Sequence, residues 1–238
     1  MSISTEIARL QQAKADLKTA IEAKGVTVPA ATTLDGYAAL VDQIQQGGGT
    51  LPYDAEIEYI ESTGTQYIDT GITLVYATEV MEMNLDIAIT SGSSRQLNGA
   101  NGYLFFGVNA SQKFEISGTA AGNYNSDFHD WYLYTKVNKK VIGMIDGVAY
   151  TGSTTVSSSN NNVYSIYLFA IGGANGAAAA LFIKQKLKQA TIKKGGVVVR
   201  DFIPVRVGQV GYLYDKVSGS LFGNAGTGDF TFGNDVNV

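Results

Sequence analysis

Cysteine is absent from this 238-residue chain, and histidine occurs once. The first absence removes disulfides, thiolate-ligated zinc and thiol nucleophiles together, so stability has to come from a packed core. The second removes any multi-histidine metal site and leaves His129 as the sole imidazole around which a Ser-His-Asp arrangement can form. Charge is sparse as well: 16% of residues are charged, the net charge is -4, and no block of Lys and Arg flanks aromatic side chains. The electrostatic footprint of a nucleic-acid binder is missing, so no nucleic-acid partner is expected. No run approaches about 18 apolar residues, the length that spans a bilayer, and Glu6, Arg9 and Asp16 interrupt the N-terminal segment. Neither membrane insertion nor a secretory leader is expected, and an extracellular role then needs another exit, such as release by cell lysis.

What the chain does have changes character at Gly47-Gly48-Gly49. Before these glycines the apolar residues recur at helical spacing. Ile3, Ile7, Leu10, Leu17 and Ile21 follow steps of four and three, broken only where Lys14 takes the seam position, which is the heptad pattern of a helix that packs on other helices. Ser2 or Ser4 can cap its start and Gly25 its end. Pro29 then enforces a turn, and Thr32 with Asp35 resembles a capping box that opens a second helix with Leu34, Tyr37, Ala38, Val41 and Ile44 on one face. About three heptads do not stand alone in water. Residues 1–46 therefore read as an attachment or oligomerisation segment, with a local two-helix clip as the plainer reading, 47–52 as a linker, and 53–238 as a β domain.

From Tyr53 onward the periodicity is two. Met81, Met83, Leu85, Ile87 and Ile89 alternate with Glu82, Asn84, Asp86 and Ala88, as a strand with one buried and one wet face requires. Further strands are expected at 57–60, 66–72, 103–108, 113–117, 131–137, 141–145, 163–171, 181–192 and 197–206, with short pieces near Leu213 and Phe230. Asp146-Gly147 and Gly195-Gly196 supply the positive φ of tight hairpins. Gly, Asn and Ser concentrate in 92–102, 118–125, 151–162 and 172–178, which read as long loops, and long loops on a rigid scaffold are where binding concentrates. Many antiparallel strands at this spacing make a sandwich or a barrel.

Three stretches carry a resemblance. Glu58-Tyr59-Ile60-Glu61-Ser62-Thr63-Gly64-Thr65-Gln66-Tyr67-Ile68-Asp69-Thr70-Gly71 opens the β domain. Val199-Arg200-Asp201-Phe202-Ile203-Pro204-Val205-Arg206, then Gly211-Tyr212-Leu213-Tyr214-Asp215 and the run from Val217 to Gly228, close it. Opening and ending resemble the concanavalin A/laminin-G-like jelly-roll domains of bacteriophage structural proteins, particularly tail and fibre proteins. The segment Ala23 to Pro29 is similar to a phage-type stretch between two short helices, and Trp131 followed by 141–145 and Asp146-Gly147 is similar to a hairpin pattern of the same superfamily. The resemblance implies a mainly β, antiparallel jelly-roll β-sandwich behind a small helical hairpin or coiled-coil segment. It also implies a virion protein, assembled in the host cytoplasm, with other virion proteins as partners; the Ile3-to-Ile21 seam adds copies of the chain in an oligomer, a trimer being favoured. Host-surface glycan is the ligand it suggests. A ligand-free decoration of capsid or tail is the alternative and a glycan depolymerase the second.

Each chemical candidate has a plainer reading beside it. Glu56, Glu58 and Glu61 match the carboxylate spacing of laminarinase-like glucanases of this superfamily, except that Glu58 replaces the Asp and the motif lies at the domain's start, so catalysis is not expected. His129, with Ser126, Asp127 and Asp130 nearby, reads as a loop histidine. The loop 172–176 lacks the Gly-Lys-Ser/Thr ending that cradles phosphate. Lys184, Lys186 and Lys188 share one side of a strand opposite Ile183, Gln185 and Leu187 and read as solvated charges, with an anionic ligand as the rival account. Tyr124, Phe128, Trp131, Tyr132 and Tyr134 cluster, Trp131 reading as core. The ligand site is expected on the loops, at Tyr124 for stacking and Asn123, Asn125 and Asp127 for hydrogen bonds, not on the lysine-bearing strand. No cofactor is expected; Asn101, Asn123, Asn125 and Asp127 offer oxygens of the kind calcium takes, without a fixed loop spacing.

Overall fold

A computed structural model describes residues 2–23, 26–41, 51–91, 96–101 and 103–236. The chain divides into two compact units, residues 1–52 and 53–238. The glycines at 47–49, the stop at Gly25 and the face position Ile44 lie outside the described residues.

In the first unit, helix α1 (Ile3–Glu22) starts where Ser2 accepts a hydrogen bond from the Thr5 amide at 3.2 Å, and Glu6 sits in its positively polarised first turn. Helix α2 (Gly36–Val41) is shorter than its sequence pattern suggests. The expected capping box does not open it: the Thr32 hydroxyl donates back to the Pro29 carbonyl at 2.8 Å, and turns at Thr33 and Leu34 precede Gly36. Ile21, Val28, Tyr37 and Leu40 are buried together. Ile21 thus belongs to a local cluster, while Ile3, Ile7, Leu10 and Leu17 stay exposed on α1. On α2 the buried pair is Tyr37 and Leu40, one turn apart, and Leu34, Ala38 and Val41 are exposed.

The second unit is mainly β, and its sheets are arranged as a sandwich. Its strands in chain order are β1 (Ala55–Glu56), β2 (Ile60–Glu61), β3 (Ile68–Val75), β4 (Met81–Ile89), β5 (Gln96–Ala100) and β6 (Phe105–Val108). Then come β7 (Lys113–Ile116), β8 (Thr119–Asn123), β9 (Phe128–Thr135), β10 (Lys140–Ile145), β11 (Val148–Thr155) and β12 (Val163–Leu168). The last are β13 (Ile171–Gly172), β14 (Gln185–Lys194), β15 (Val197–Val207), β16 (Val210–Asp215), β17 (Ser220–Phe222) and β18 (Thr231–Phe232). The larger sheet runs β11-β10-β9-β4-β14-β15-β16-β17, with β1, β2 and β18 added beside β14 and β15. The smaller runs β3-β12-β5-β6-β7-β8, and β13 adds to β5 in parallel, whereas the other strand pairs among the described residues are antiparallel. The four Gly/Asn/Ser-rich stretches are partly strand, holding β5, β8, the end of β11 and β13. Small residues fit a strand as well as a loop, buried in β5 and β13 and mostly wet in β8, so composition alone misassigned them. The expected strand at 57–60 is instead broken between β1 and β2 by a single bridge from Ile57 to Asp235.

The core forms between the layers. Met81, Met83, Leu85, Ile87 and Ile89 of β4 all face inward, as the alternation requires. Trp131 is 2% exposed, with its ring 5.1 Å from Phe106 and edge-on to Phe114 at 5.2 Å. Burying each such side chain contributes roughly 1.5–3 kcal/mol. A fully buried polar pair spans the layers: the Asn98 amide on β5 and the Gln185 amide on β14, both 0% exposed, exchange hydrogen bonds of 2.7 and 2.9 Å. Asn98 also accepts from the Phe169 amide at 2.6 Å. Where β10 crosses the smaller sheet, Gly143 lets the Ile116 side chain come so near that an added Cβ would lie 2.6 Å from it.

The opening and closing segments of the β domain are joined to each other. The Gln66 side chain accepts from the Thr63 amide at 2.9 Å and donates to the Asp229 carbonyl at 3.1 Å. Asn224 accepts from the Tyr67 amide at 3.1 Å and donates to Gly228 at 2.6 Å, and Thr65 donates to the Thr227 carbonyl. Asp215, fully buried, accepts from the Asp201 amide at 2.8 Å and the Ser218 hydroxyl at 2.7 Å. These motifs therefore close the sandwich, with their polar side chains spent on one another.

Candidate functional site

The strand alternation that buries one face of β4 turns Glu82, Asn84 and Asp86 to the other, and the register of its neighbours completes a polar surface there. Across the strands, Met144, Tyr132, Asn84, Thr191 and Asp201 form one row. Asp130, Asp86 and Gln189 form the next. Between these rows lies a pocket of about 330 Å³, lined by Asn84, Asp86, Asp130, Tyr132, Gln189 and Thr191 with the apolar Met144 at one side. Gly147, from the β10–β11 turn, contributes to the rim. That turn is the expected Asp-Gly hairpin, with φ of 50° at Asp146 and 77° at Gly147.

The electrostatics of the pocket are set by three aspartates and one lysine. Partial burial raises the Asp86 carboxyl above its ordinary pKa; the Lys188 charge opposes the rise, and the charges of Asp130 and Asp146 add to it. Asp146 moves the other way. Its burial would raise it, but the His129 ring, the Asp130 amide and the His129 charge outweigh that and hold it below its usual value. Burial, then the Glu82 carboxylate, push the Tyr132 hydroxyl up. Amide, hydroxyl and carboxylate groups beside a tyrosine ring and a thioether can hydrogen-bond the rim of a sugar while covering its apolar face.

His129 lies on β9, not in a loop, in register with Ile87. Its Nδ1 is 2.6 Å from Asp146 Oδ2 and its Nε2 2.7 Å from Asn125 Oδ1, with the ring edge-on to Phe114. Asp146 also accepts from the Asp130 amide at 3.0 Å. The histidine thus ties the 124–127 loop to the turn that rims the pocket, and neither of its ring partners is a hydroxyl.

The residues selected from sequence lie elsewhere. Tyr124 packs edge-on to Phe114, its hydroxyl donates to the Ile89 carbonyl at 3.0 Å, and its ring leans on the core. Asn123 pairs with Lys113 at the end of β8, Asn125 is taken by His129, and Asp127 gives its amide to Asn125 at 2.9 Å. These four neighbour one another but do not line the pocket. Asn101 is in the smaller sheet's region, its amide bound to Gly172, and among the described residues no three His, Cys, Asp or Glu come together to hold a metal. Glu56 accepts from the Tyr53 hydroxyl, which burial and Glu56 push up to about 12, whereas Glu58 accepts from the Asn234 amide at 3.1 Å and Glu61 pairs in β2. Gly172 lies in β13, against the Ser165 carbonyl where no Cβ fits. Lys184, Lys186 and Lys188 do alternate with buried Ile183, Gln185 and Leu187. The Lys186 ammonium lies 4.4 Å over the Tyr59 ring and that of Lys188 3.8 Å over Phe128. Asn84, Asp86, Gln189 and Thr191 were missed although the wet face of β4 was legible, because strand order decides which wet residues meet.

The chain matches no protein-family model and no curated protein sequence.

Proposed function

We propose that the chain is a non-enzymatic bacteriophage virion protein, a tail fibre, head fibre or related appendage, whose jelly-roll β-sandwich binds host-surface glycan. The resemblance of the opening and closing motifs supports the virion setting. The observation that carries the glycan reading is the pocket on the outer face of the larger sheet, where Asn84, Asp86, Gln189 and Thr191 meet Tyr132 and Met144. The helical unit then anchors the chain to other virion proteins or bundles its copies, a trimer being favoured, and several weak sugar sites on one particle add up to useful avidity.

An array of bacterial surface polysaccharides, probed with the full-length chain, tests this. Binding is expected, and Asn84→Ala with Gln189→Ala should abolish it while the protein stays folded. If no glycan is bound, the reading gives way to a ligand-free decoration of capsid or tail. A depolymerase has one observation of its own: Asp86 and Asp130 are directly opposed on adjacent strands, with Asp86 shifted toward its protonated form. New reducing ends released from a bound polysaccharide would decide for it.

A further inference from the structure

The pocket ends where a second, differently charged row begins. One strand step along, about 7 Å for two residues, Phe128 and Lys186 both stand in register with Ala88, and Glu61 follows Lys186. Tyr59 joins them with its ring 6.3 Å from that of Phe128. Lysines that merely solvate a strand face swing freely. These two do not: each ammonium is seated on a ring, Lys186 on Tyr59 and Lys188 on Phe128. A charge held in place has already lost much of the rotamer freedom that binding would otherwise take from it.

We infer that this row is a second subsite, which takes an anionic sugar unit of the same polysaccharide whose neutral unit occupies the pocket. This rests on the glycan-binding reading above. The charges order the two subsites. Asp86 and Asp130 repel an anion from the pocket, where Lys188 offsets part of the Asp86 charge, while in the neighbouring row the seated Lys186 and Lys188 ammonium groups outnumber the Glu61 carboxylate. Attraction in one row and repulsion in the next fix which unit of an alternating chain sits where. The ligand class is therefore a heteropolysaccharide with carboxylated, sulfated or phosphorylated units beside neutral ones.

The same array, carrying neutral and anionic polysaccharides, decides the matter with the full-length protein and two double variants. The glycans bound by the native chain should contain an anionic unit and lose affinity as salt rises. Lys186→Gln with Lys188→Gln should weaken them roughly tenfold, the scale of two exposed ion pairs, and Lys186→Arg with Lys188→Arg should keep them. Binding of neutral glycans only, or binding indifferent to the Gln variant, overturns the second subsite and leaves the pocket standing. Absence of all glycan binding removes both readings. If the Gln variant changes the sedimenting mass and not the binding, the face is a contact between copies and the inference fails.

Discussion

Asp86 and Asp146 are two aspartates at one pocket whose shifts run in opposite directions, and the directions predict opposite mutant behaviour. A carboxyl raised in the folded state binds its proton more tightly there than in the unfolded chain, so Asp86 costs stability as pH climbs above the ordinary carboxylate range. Asp86→Asn should raise the melting temperature at pH 7, with the gain fading below about pH 4, and under the proposed glycan reading should weaken binding, a trade of activity against stability. Asp146 is lowered, so its contribution is present above that range and lost as pH falls through the lowered value. Asp146→Asn should lower the melting temperature at pH 7 and make no difference in strong acid. The buried amide pair follows a third rule. Gln185→Leu leaves the Asn98 amide group without that partner in the core and should cost roughly 1–3 kcal/mol by urea denaturation; added to Asn98→Leu, which already removes the acceptor of the Phe169 amide and orphans Gln185, the same change should cost less.

Among the elements, α1 divides its apolar residues between two tasks. Ile21 packs with Val28, Tyr37 and Leu40, whereas Ile3, Ile7, Leu10 and Leu17 line an exposed face interrupted by Lys14. If that face joins copies of the chain, Ile7→Glu with Leu10→Glu should reduce the mass found by light scattering to that of one chain, without loosening the β domain. A native mass already equal to one chain would instead make the helices a local clip or a dock for a different protein. Ile21→Ala should act otherwise, loosening the local cluster first. The strand β4 shows the same division. Its inward residues were legible from alternation alone, and so were its outward ones, but not that Tyr132 and Thr191 would flank Asn84.

At the scale of the whole β domain, stability depends on joining residues that are far apart in sequence. Gln66 meets Asp229 and Asn224 meets Tyr67, so the two segments that carry the family resemblance meet as one closure. Gln66→Ala should remove several buried hydrogen bonds at once and cost roughly 1–3 kcal/mol, seen as a lower melting temperature, while glycan binding per folded molecule stays unchanged because the closure does not line the pocket. The motifs most recognisable in the sequence are thus structural, and the pocket is made of residues no motif marks.

Periodicity is local, and what depends on it was readable in the chain: a helical start, a β remainder, the inward row of β4, the alternation of Lys184, Lys186 and Lys188, and the Asp146-Gly147 hairpin, whose backbone angles few other residues adopt. Strand order is not local. Sequence could say that Asn84 and Gln189 were wet, but only the pairing of β9, β4 and β14 puts them around one pocket. Tyr124 shows the converse. Its sequence neighbours are loop-like and polar, yet the fold turns its half-buried ring against Phe114 and its hydroxyl to Ile89, because an aromatic ring beside a core gains by covering part of its surface there.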